Sequence, residues 1–175
     1  MCNEAYFYKN NCLNTQFALF KQQITHPVKY RLFLLNKLPM AFIAGLKVID
    51  INPQQASISI KYKWLNQNPF RSLFFAVLSM AAELSTGLLG FAQIYKRQPT
   101  VSMLVVKMEA SFYKKAIGTI IFNCTDGDKI INAIEQTIAT GEGQTLTCTS
   151  VGKNEQNEIV AEFIFTWSFK AKSSK

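Results

Sequence analysis

The stretch that decides the fold runs from Asn66 to Lys96 and reads NQNPFRSLFFAVLSMAAELSTGLLGFAQIYK. It is the longest apolar run in the chain, and one carboxylate, Glu83, lies near its middle. A helix formed by this run would be apolar nearly all round, which is typical of a buried helix. Asn68 suits an N-cap and Pro69 suits a first helical position, so the sequence predicts a long central helix that begins there.

One side of this predicted helix carries mostly small residues at three- and four-residue spacing, and small residues allow a close approach to another backbone. The residues on this side are Ala76, Ser79, Met80, Glu83, Thr86, Gly87 and Gly90. The run is also long enough to cross a bilayer. However, an ionisable group at the bilayer centre is costly, and the flanking segments have the pattern of half-buried strands. We therefore expect a core helix and no membrane span.

The composition favours one domain with a substantial core and an anionic partner. The chain has 175 residues, and its net charge of +8 comes from 19 Lys and Arg against 11 Asp and Glu. Nucleic acid, an anionic membrane surface and a coenzyme A thioester all fit this charge, as does a set of dispersed surface lysines. Aromatic and basic residues interleave on predicted strands, where the aromatics would face the core, so no nucleic-acid partner is predicted.

The cysteines indicate a reduced, metal-free protein. Four cysteines are widely scattered without a CxxC pair, and His26 is the one histidine, so we predict no metal site and no cofactor. Free thiols suit a reducing compartment, and the first 14 residues lack the pattern of a secretion signal. The sequence thus predicts a cytoplasmic protein.

Two helices are predicted before the sheet. The first spans Leu13 to Ile24, and the second opens at Pro27 and is closed by Pro39. They would pack over a sheet edge or a site mouth. The alternative is a surface-seeking segment, in which basic residues stand beside apolar ones, but packing is the favoured role. We divide the chain into an N-terminal helical extension (1–38), a main domain (39–172) and a tail (173–175).

The remaining segments predict an antiparallel sheet. Strands are expected at 42–50 and 56–64, then, after the long helix, at 101–115, 118–126, 143–151 and 158–172, with a short helix at 129–140. Runs of strands with one dominant helix predict an α+β fold in which a curled sheet wraps the helix. A second subunit would cover the face that stays open.

That arrangement and the text NQNPFRSLFFAVLSMAAELSTGLLG resemble the hotdog-fold thioesterase superfamily, over roughly Leu38 to Ala171. The chain is similar to the phenylacetyl-CoA-thioesterase-like branch and to a domain-of-unknown-function relative of it. In that branch an Asn precedes the helix, a His-Gly-Gly turn follows, and an acidic residue stands fifteen positions after the Asn. Asn68 and Glu83 have this separation, and Ser72 falls where the branch often has a small hydroxyl residue. Phe74, Phe75 and Ala76 replace the His-Gly-Gly turn.

The resemblance implies a dimeric or tetrameric acyl-CoA thioesterase. The thioester carbonyl would lie at the helix N-terminus, near the amides of Phe75 and Ala76, where free N–H groups and the helix dipole stabilise an oxyanion. Glu83 would act as a general base on water or as a nucleophile, and its apolar setting should raise its pKa. Asn68 would orient water or hold the substrate, and Thr86 would orient the carboxylate. The residues predicted to bind the substrate are Ser72, Phe75, Ala76 and Thr86.

Other interpretations of these residues remain open at the level of sequence. Glu83 could be a paired structural carboxylate, Asn68 an N-cap, and Thr86 a packing residue that bonds back to its own helix. The missing His-Gly-Gly turn and the Phe-rich helix start also fit a non-catalytic hotdog module that binds an acyl chain or an acyl-CoA.

Overall fold

The computed structural model describes residues 17–172, which form three N-terminal helices, a six-stranded sheet and two further helices. The N-terminal helices are α1 (residues 17–25), α2 (Pro27–Lys37) and α3 (Pro39–Ala44). The strands are β1 (Lys47–Ile51), β2 (Ala56–Lys61), β3 (Val101–Phe112), β4 (Thr119–Cys124), β5 (Gln144–Lys153) and β6 (Ile159–Ala171). Helix α4 (Phe75–Ile94) lies between β2 and β3, and α5 (Gly127–Thr140) lies between β4 and β5.

The sheet is antiparallel throughout, with the strand order β1-β2-β4-β5-β6-β3. Alternate residues of the central strands point toward α4 and form the core, as a period of two residues requires. Ile58 pairs with Phe122, and Phe163 and Phe165 stand opposite Ser150 and Cys148 on β5. The predicted α+β fold, with an antiparallel sheet around a long central helix and extra N-terminal helices, is confirmed.

Two hydrogen bonds fix the rotation of α4 on the sheet. The hydroxyls of Ser85 and Ser150 lie 2.7 Å apart in the core, and Trp167 Nε1 donates to Thr86 Oγ1 over 3.0 Å. Both helix residues are fully buried, so losing either bond would leave a buried polar group unsatisfied.

The prediction that the long helix begins at Asn68 and Pro69 is wrong. Helix α4 begins at Phe75 with Phe74 as its N-cap, and residues 68–73 form a loop. The cause is the Asn68 side chain, which accepts hydrogen bonds from the backbone N–H groups of Phe70 and Ser72 and so holds a turn instead of capping a helix. Arg71, in the middle of this turn, has a φ of 57°.

Two strand predictions were also too long. The predicted strand at 42–50 begins only at Lys47, because Pro39 does not merely end α2 but occupies the first position of α3. Gly45, with a φ of 78°, ends this short helix in the left-handed conformation that glycine favours. The strand predicted at 56–64 ends at Lys61, where a short 3₁₀ helix (Trp64–Asn66) follows.

The N-terminal helices pack on the second half of α4. The Phe20 ring lies 5.4 Å from the rings of Phe91 and Tyr95, and the Phe33 ring lies 6.4 Å from Phe91. Leu34 of α2 is buried in the same core. The structure therefore agrees with the favoured role of these helices, which is to pack on the rest of the domain. The predicted beginning of the first helix and the tail lie outside the described residues, and the domain division at residue 38 stays a prediction.

The first half of α4 is covered less completely than the second half. Ala76, Ser79 and Met80 are only half-buried, whereas residues 84–90 are all buried. Met108 and Phe112 pair with Phe165 and Ala161 on the inner face of the sheet, yet both are exposed. One apolar side of the sheet-and-helix sandwich is therefore uncovered at this end.

Candidate active site

The loop before α4 is built around Asn68. Its Oδ1 atom accepts hydrogen bonds from the N–H groups of Phe70 and Ser72 and from Ser72 Oγ, and its Nδ2 atom donates to the Leu73 carbonyl oxygen. Ser72 is buried beneath this loop. Every side-chain hydrogen bond of Asn68 that the structure describes therefore stays within residues 68–73 and serves to shape the entry into α4.

The start of α4 presents backbone donors. The Phe74 carbonyl oxygen accepts from the N–H groups of Val77 and Leu78, whereas in the described residues no side chain caps this end. The N–H groups of Phe75 and Ala76 are the first two of the helix, and such groups have no partner inside a helix. Phe75 borders a cavity of about 350 Å³, which is also lined by Asn68, Ser72, Phe112, Lys114 and Lys115.

Two phenylalanines stand where the family motif has His and Gly. The rings of Phe74 and Phe75 meet edge to face with their centroids 4.8 Å apart, and both are exposed. The rings border the cavity without filling it. Of the residues predicted to bind substrate, Ser72 and Phe75 line this cavity, and Ala76 is the next residue along the helix.

Glu83 lies in a different, mostly apolar groove. This groove has a volume of about 450 Å³ and is bounded by Phe33, Lys37, Leu38, Leu84, Gly87, Leu88, Phe91, Met103 and Trp167. A smaller cavity of about 230 Å³ also contains Glu83, between α4 and the α2–α3 junction. Gly87, one turn further along α4, leaves space for the carboxylate, because a Cβ atom there would stand 3.1 Å from Glu83 Oε1.

Burial raises the pKa of Glu83 above the ordinary value for a glutamate. Within residues 17–172 no cation or hydrogen-bond donor lies close enough to the carboxylate to lower this pKa again. A carboxylate whose pKa is raised accepts a proton more readily than an ordinary glutamate, which is the property that a general base needs. The expected rise in the pKa of Glu83 thus agrees with the structure.

Thr86 does not point its hydroxyl at the Glu83 carboxylate. Its Oγ1 atom donates to the Glu83 backbone carbonyl oxygen over 2.9 Å and accepts from Trp167 Nε1. Thr86 is fully buried, and its single hydroxyl hydrogen is already donated to that carbonyl oxygen, so it has no donor left for the carboxylate. The alternative interpretation, a packing residue that bonds back to its own helix, describes its contacts.

Within one chain, the Glu83 carboxylate is well separated from the backbone donors at the start of α4. Glu83 is eight residues from Phe75, and a helix rises 1.5 Å per residue, so they lie about 12 Å apart along the axis. The cavity at the start of α4 and the groove at Glu83 have no lining residue in common. The structure therefore groups Asn68, Ser72 and Phe75 at one place and Glu83 at another.

Sequence reasoning missed two residues that shape the site. Asn66 is buried, and its Nδ2 atom donates to the carbonyl oxygens of Ala44 and Lys61, while its own carbonyl oxygen accepts from Phe74 N–H. It thus ties α3, β2 and the start of α4 together. Lys37 borders both cavities that contain Glu83. An asparagine that follows a strand is only a weak indication of a structural role in a site. Lys37 lies 46 residues from Glu83 in the sequence, so no local pattern connects the two.

Two further properties bear on the class of protein. Within residues 17–172, no three His, Cys, Asp or Glu side chains come together in a group that would hold a metal ion. In the same part of the chain, α4 is the one helix long and apolar enough to cross a membrane, and 67% of its apolar window is buried inside the protein.

Solved structures share this fold. A Pseudomonas aeruginosa protein described as a probable thioesterase matches with a TM-score of 0.69 and 19% identity, over 86% of this chain and 99% of that one. A Chlorobaculum tepidum protein of unknown function matches with a TM-score of 0.70 and 13% identity, over 86% and 99%. A Haemophilus influenzae thioesterase matches with a TM-score of 0.62 and 14% identity, over 82% and 90%. At these identities the likeness shows the fold alone.

At the level of sequence, no curated protein matches the chain. A family model does match: the domain of unknown function DUF4442, over residues 30–168. This range includes α4, the first five strands and most of α2 and β6. The resemblance to the hotdog superfamily and to its domain-of-unknown-function relative is thereby confirmed: the chain has the fold of hotdog thioesterases and belongs to the DUF4442 family.

Proposed function

We propose that this protein is an acyl-CoA thioesterase whose active site is completed by a second copy of the chain. The observation that carries the proposal is Glu83, a half-buried carboxylate with a raised pKa in an apolar groove. The groove suits an acyl chain, and the carboxylate suits activation of water next to it. The thioesterases among the structures of the same fold support this choice of chemistry.

The site divides into a donor half and a base half. The thioester carbonyl oxygen binds to the N–H groups of Phe75 and Ala76, where the positive end of the helix dipole stabilises the oxyanion that forms. Glu83 removes a proton from water, which attacks the carbonyl carbon. The carbon–sulfur bond then breaks, protonated Glu83 gives its proton to the departing thiolate, and the products are the free acid and coenzyme A. Glu83 acting directly as a nucleophile is the other form of this mechanism.

The separation of about 12 Å along α4 is the reason for a second chain. A carboxylate at that distance does not reach a carbonyl held at the start of its own helix, since a general base acts across about 3 Å or through one water. In a twofold dimer with antiparallel central helices, Glu83 of each chain approaches the helix start of its partner.

The uncovered end of the sheet supplies a surface for such a dimer. Phe112 and Met108 of β3 face inward but are exposed, and Phe74 and Phe75 are exposed nearby at the start of α4. Exposed apolar residues grouped in this way mark protein–protein interfaces. β3 is also an edge strand of twelve residues, and a long unpaired edge readily pairs with another strand. A homodimer is thus part of the proposal, and a tetramer would add a second interface.

A pair of neighbouring substitutions tests the assembly. Ala110 faces the open inner side of β3 opposite Phe163, whereas Ser111 faces the outer side opposite Glu162. Ala110→Arg places a charge in the proposed interface, so we expect monomers by light scattering and loss of activity. Ser111→Arg should remain dimeric and active. A dimer that withstands Ala110→Arg would contradict this interface.

Hydrolysis itself is tested with a panel of acyl-CoAs of increasing chain length, measured by thiol release. We expect turnover of at least one member and a loss of about 10²- to 10⁴-fold in Glu83→Gln. Glu142, an exposed carboxylate after α5, provides the control, because Glu142→Gln should retain full activity. Absence of turnover on the whole panel, or an unaffected Glu83→Gln variant, would contradict the proposal.

A non-catalytic acyl-binding module is the second candidate. It is favoured by Phe74 and Phe75, whose side chains stand beside the amides that a thioester would have to reach. Under this alternative, native mass spectrometry would find an acyl ligand retained by the protein, and none of the acyl-CoAs would be hydrolysed. Turnover together with the loss in Glu83→Gln would exclude it.

A further inference from the structure

Helix α2 has two apolar faces, and packing accounts for only one of them. Tyr30 and Leu34, one turn apart, are buried against the core. Val28, Leu32 and Leu35 are exposed by 60%, 60% and 53%. At 3.6 residues per turn these three lie within about 60° of one another, on the side of the helix opposite Tyr30 and Leu34. They form a narrow apolar stripe, which we call the α2 stripe.

Basic residues flank the α2 stripe on both sides. Lys29 and Arg31 lie about 70–90° to either side of its centre, and both are exposed. The Arg31 guanidinium stacks 5.2 Å from the centroid of the Phe42 ring. An apolar stripe bordered by Lys and Arg, whose long stems allow the charges to reach polar surroundings, is the pattern of a helix that lies flat in a lipid interface.

The part of the chain that carries this stripe is basic. The described residues 17–49 contain five of the 19 basic residues and none of the 11 acidic ones, so this segment contributes +5 to the net charge of +8. Two copies of such a surface facing each other across a twofold axis would repel. The charge therefore favours an anionic occupant over a second copy of this chain.

The exposed apolar surface continues toward the groove that contains Glu83. In α3, which follows directly, Met40 and Ile43 are exposed. At the α2–α3 junction, Lys37, Leu38, Pro39 and Met40 line the smaller Glu83 cavity, and Lys37 and Leu38 also line the larger groove. The same short segment thus belongs to the exposed surface and to the mouth of the groove.

We propose that the α2 stripe, with Lys29 and Arg31, binds the surface of an anionic phospholipid bilayer. Helix α2 lies parallel to the membrane plane, the three apolar side chains enter the boundary between head groups and acyl chains, and the basic residues contact lipid phosphates. This binding places the mouth of the Glu83 groove next to the bilayer, so that an acyl chain has a short path between membrane and protein. It does not depend on the proposed hydrolysis.

The experiment is co-sedimentation of the full-length protein with lipid vesicles. Vesicles of phosphatidylcholine and phosphatidylglycerol in equal parts should bind the protein at low ionic strength. Binding should weaken as salt is added, because the electrostatic part is screened. Vesicles of phosphatidylcholine alone should bind much less. No sedimentation with the anionic vesicles at low salt, or equal binding to both kinds, would overturn the proposal.

Three double variants locate the surface. Leu32→Asn with Leu35→Asn should abolish binding, and Lys29→Gln with Arg31→Gln should weaken it about 20- to 30-fold, which corresponds to about fivefold per charge. Leu65→Asn with Ile117→Asn, which changes residues exposed by 57% and 56% elsewhere, is the matched control and should bind as the unmodified protein does.

Light scattering and circular dichroism on each variant keep the result interpretable. The proposal requires that the α2 variants retain the fold and oligomeric state of the unmodified protein while losing vesicle binding. If the Leu32 and Leu35 substitutions instead convert an oligomer into monomers, the stripe is an interface between copies of this chain and the proposal is wrong. It is equally wrong if the control variant loses binding to the same extent.

Discussion

The two halves of helix α4 lie in different surroundings. The first half, from Phe75, has an uncapped start, half-buried small residues and an exposed apolar strand beside it. The second half, beyond Glu83, is enclosed by the sheet and by aromatic residues of α1 and α2. A helix buried by its own chain along its entire length needs no partner. A helix covered at one end and open at the other leaves a defined surface for a second chain.

The comparison also separates two chemical properties. The open half offers backbone N–H groups that suit an oxyanion, and the boundary with the covered half holds a carboxylate whose pKa burial has raised. Neither property alone hydrolyses a thioester. The proposed function therefore depends on bringing the two halves of different chains together, and the predictions below act on one half at a time.

Apart from the loss of turnover in Glu83→Gln, the largest effect is expected at the open half, from Phe75→Pro. Phe75 is the first helical residue, and its N-cap has φ −65° and ψ 136°, a conformation that the residue before a proline adopts readily. Proline removes the Phe75 N–H group without breaking the helix. Because one oxyanion donor is worth about 10²- to 10³-fold in kcat, we expect that loss in steady-state kinetics.

Phe75→Ala is the matched control for this change. It removes the same ring but keeps the N–H group, so it should retain most of the activity. If both variants lose activity equally, the ring and not the backbone donor matters, and the assignment of the oxyanion site to the start of α4 fails.

An intermediate effect is expected for Asn68→Ala. The substitution removes the hydrogen bonds that hold residues 68–73, leaving the buried Ser72 hydroxyl without its partner. We expect a decrease in the free energy of unfolding of about 1–3 kcal/mol by urea denaturation. Asn68→Asp, which keeps the acceptor oxygen, should recover much of it. Unchanged stability together with lost hydrolysis would instead support a direct catalytic role for Asn68.

The smallest effect is expected for the stability of Glu83→Gln as a function of pH. Burial raises the pKa of Glu83 in the folded state above its value in the unfolded chain. The contribution of this group to stability is therefore fully present below the unfolded pKa and is lost as the pH rises through the folded pKa. Glu83→Gln should therefore gain stability relative to the unmodified protein as the pH rises above about 4, the ordinary pKa of a glutamate in an unfolded chain.

Thermal unfolding across that pH range measures this difference. The change in Tm caused by the exposed control Glu142→Gln should stay nearly constant with pH. A constant difference for Glu83→Gln as well would mean that Glu83 is solvated or paired like an ordinary surface carboxylate, and the contrast between the two halves of α4 would lose its electrostatic basis.

The fold was largely predictable from the sequence, because long segments with a clear period specify their own structure. The alternation in β6 and the apolar run in α4 are examples: the sequence predicts both elements, although it places the start of α4 about six residues too early. Residues 42–44 were predicted as a strand but are helical. A short apolar run does not distinguish the two states, and Pro39 started a helix there.

The site was less predictable, because its geometry depends on contacts between distant parts of the chain. Asn68 is of a residue type that commonly caps helices. Only the hydrogen bonds that its side chain accepts from the backbone N–H groups of Phe70 and Ser72 reveal a turn. Thr86 has the spacing to face the Glu83 carboxylate, but Trp167, 81 residues away, takes its hydroxyl as an acceptor. The groove around Glu83 includes Lys37 and Phe33 of α2, which no local pattern connects to α4.

The most direct test of the central claim is a mixed-subunit experiment. Phe75→Pro chains keep Glu83, and Glu83→Gln chains keep the helix start, so each homodimer lacks one half of every site. The two chains are co-expressed with different tags, and the activity of the total dimer population is measured. If each site joins the helix start of one chain to Glu83 of the other, every mixed dimer contains one intact site, and random pairing restores about a quarter of the unmodified activity. If the mixture remains as inactive as the two parent variants, the site does not combine the two chains and the proposal is contradicted.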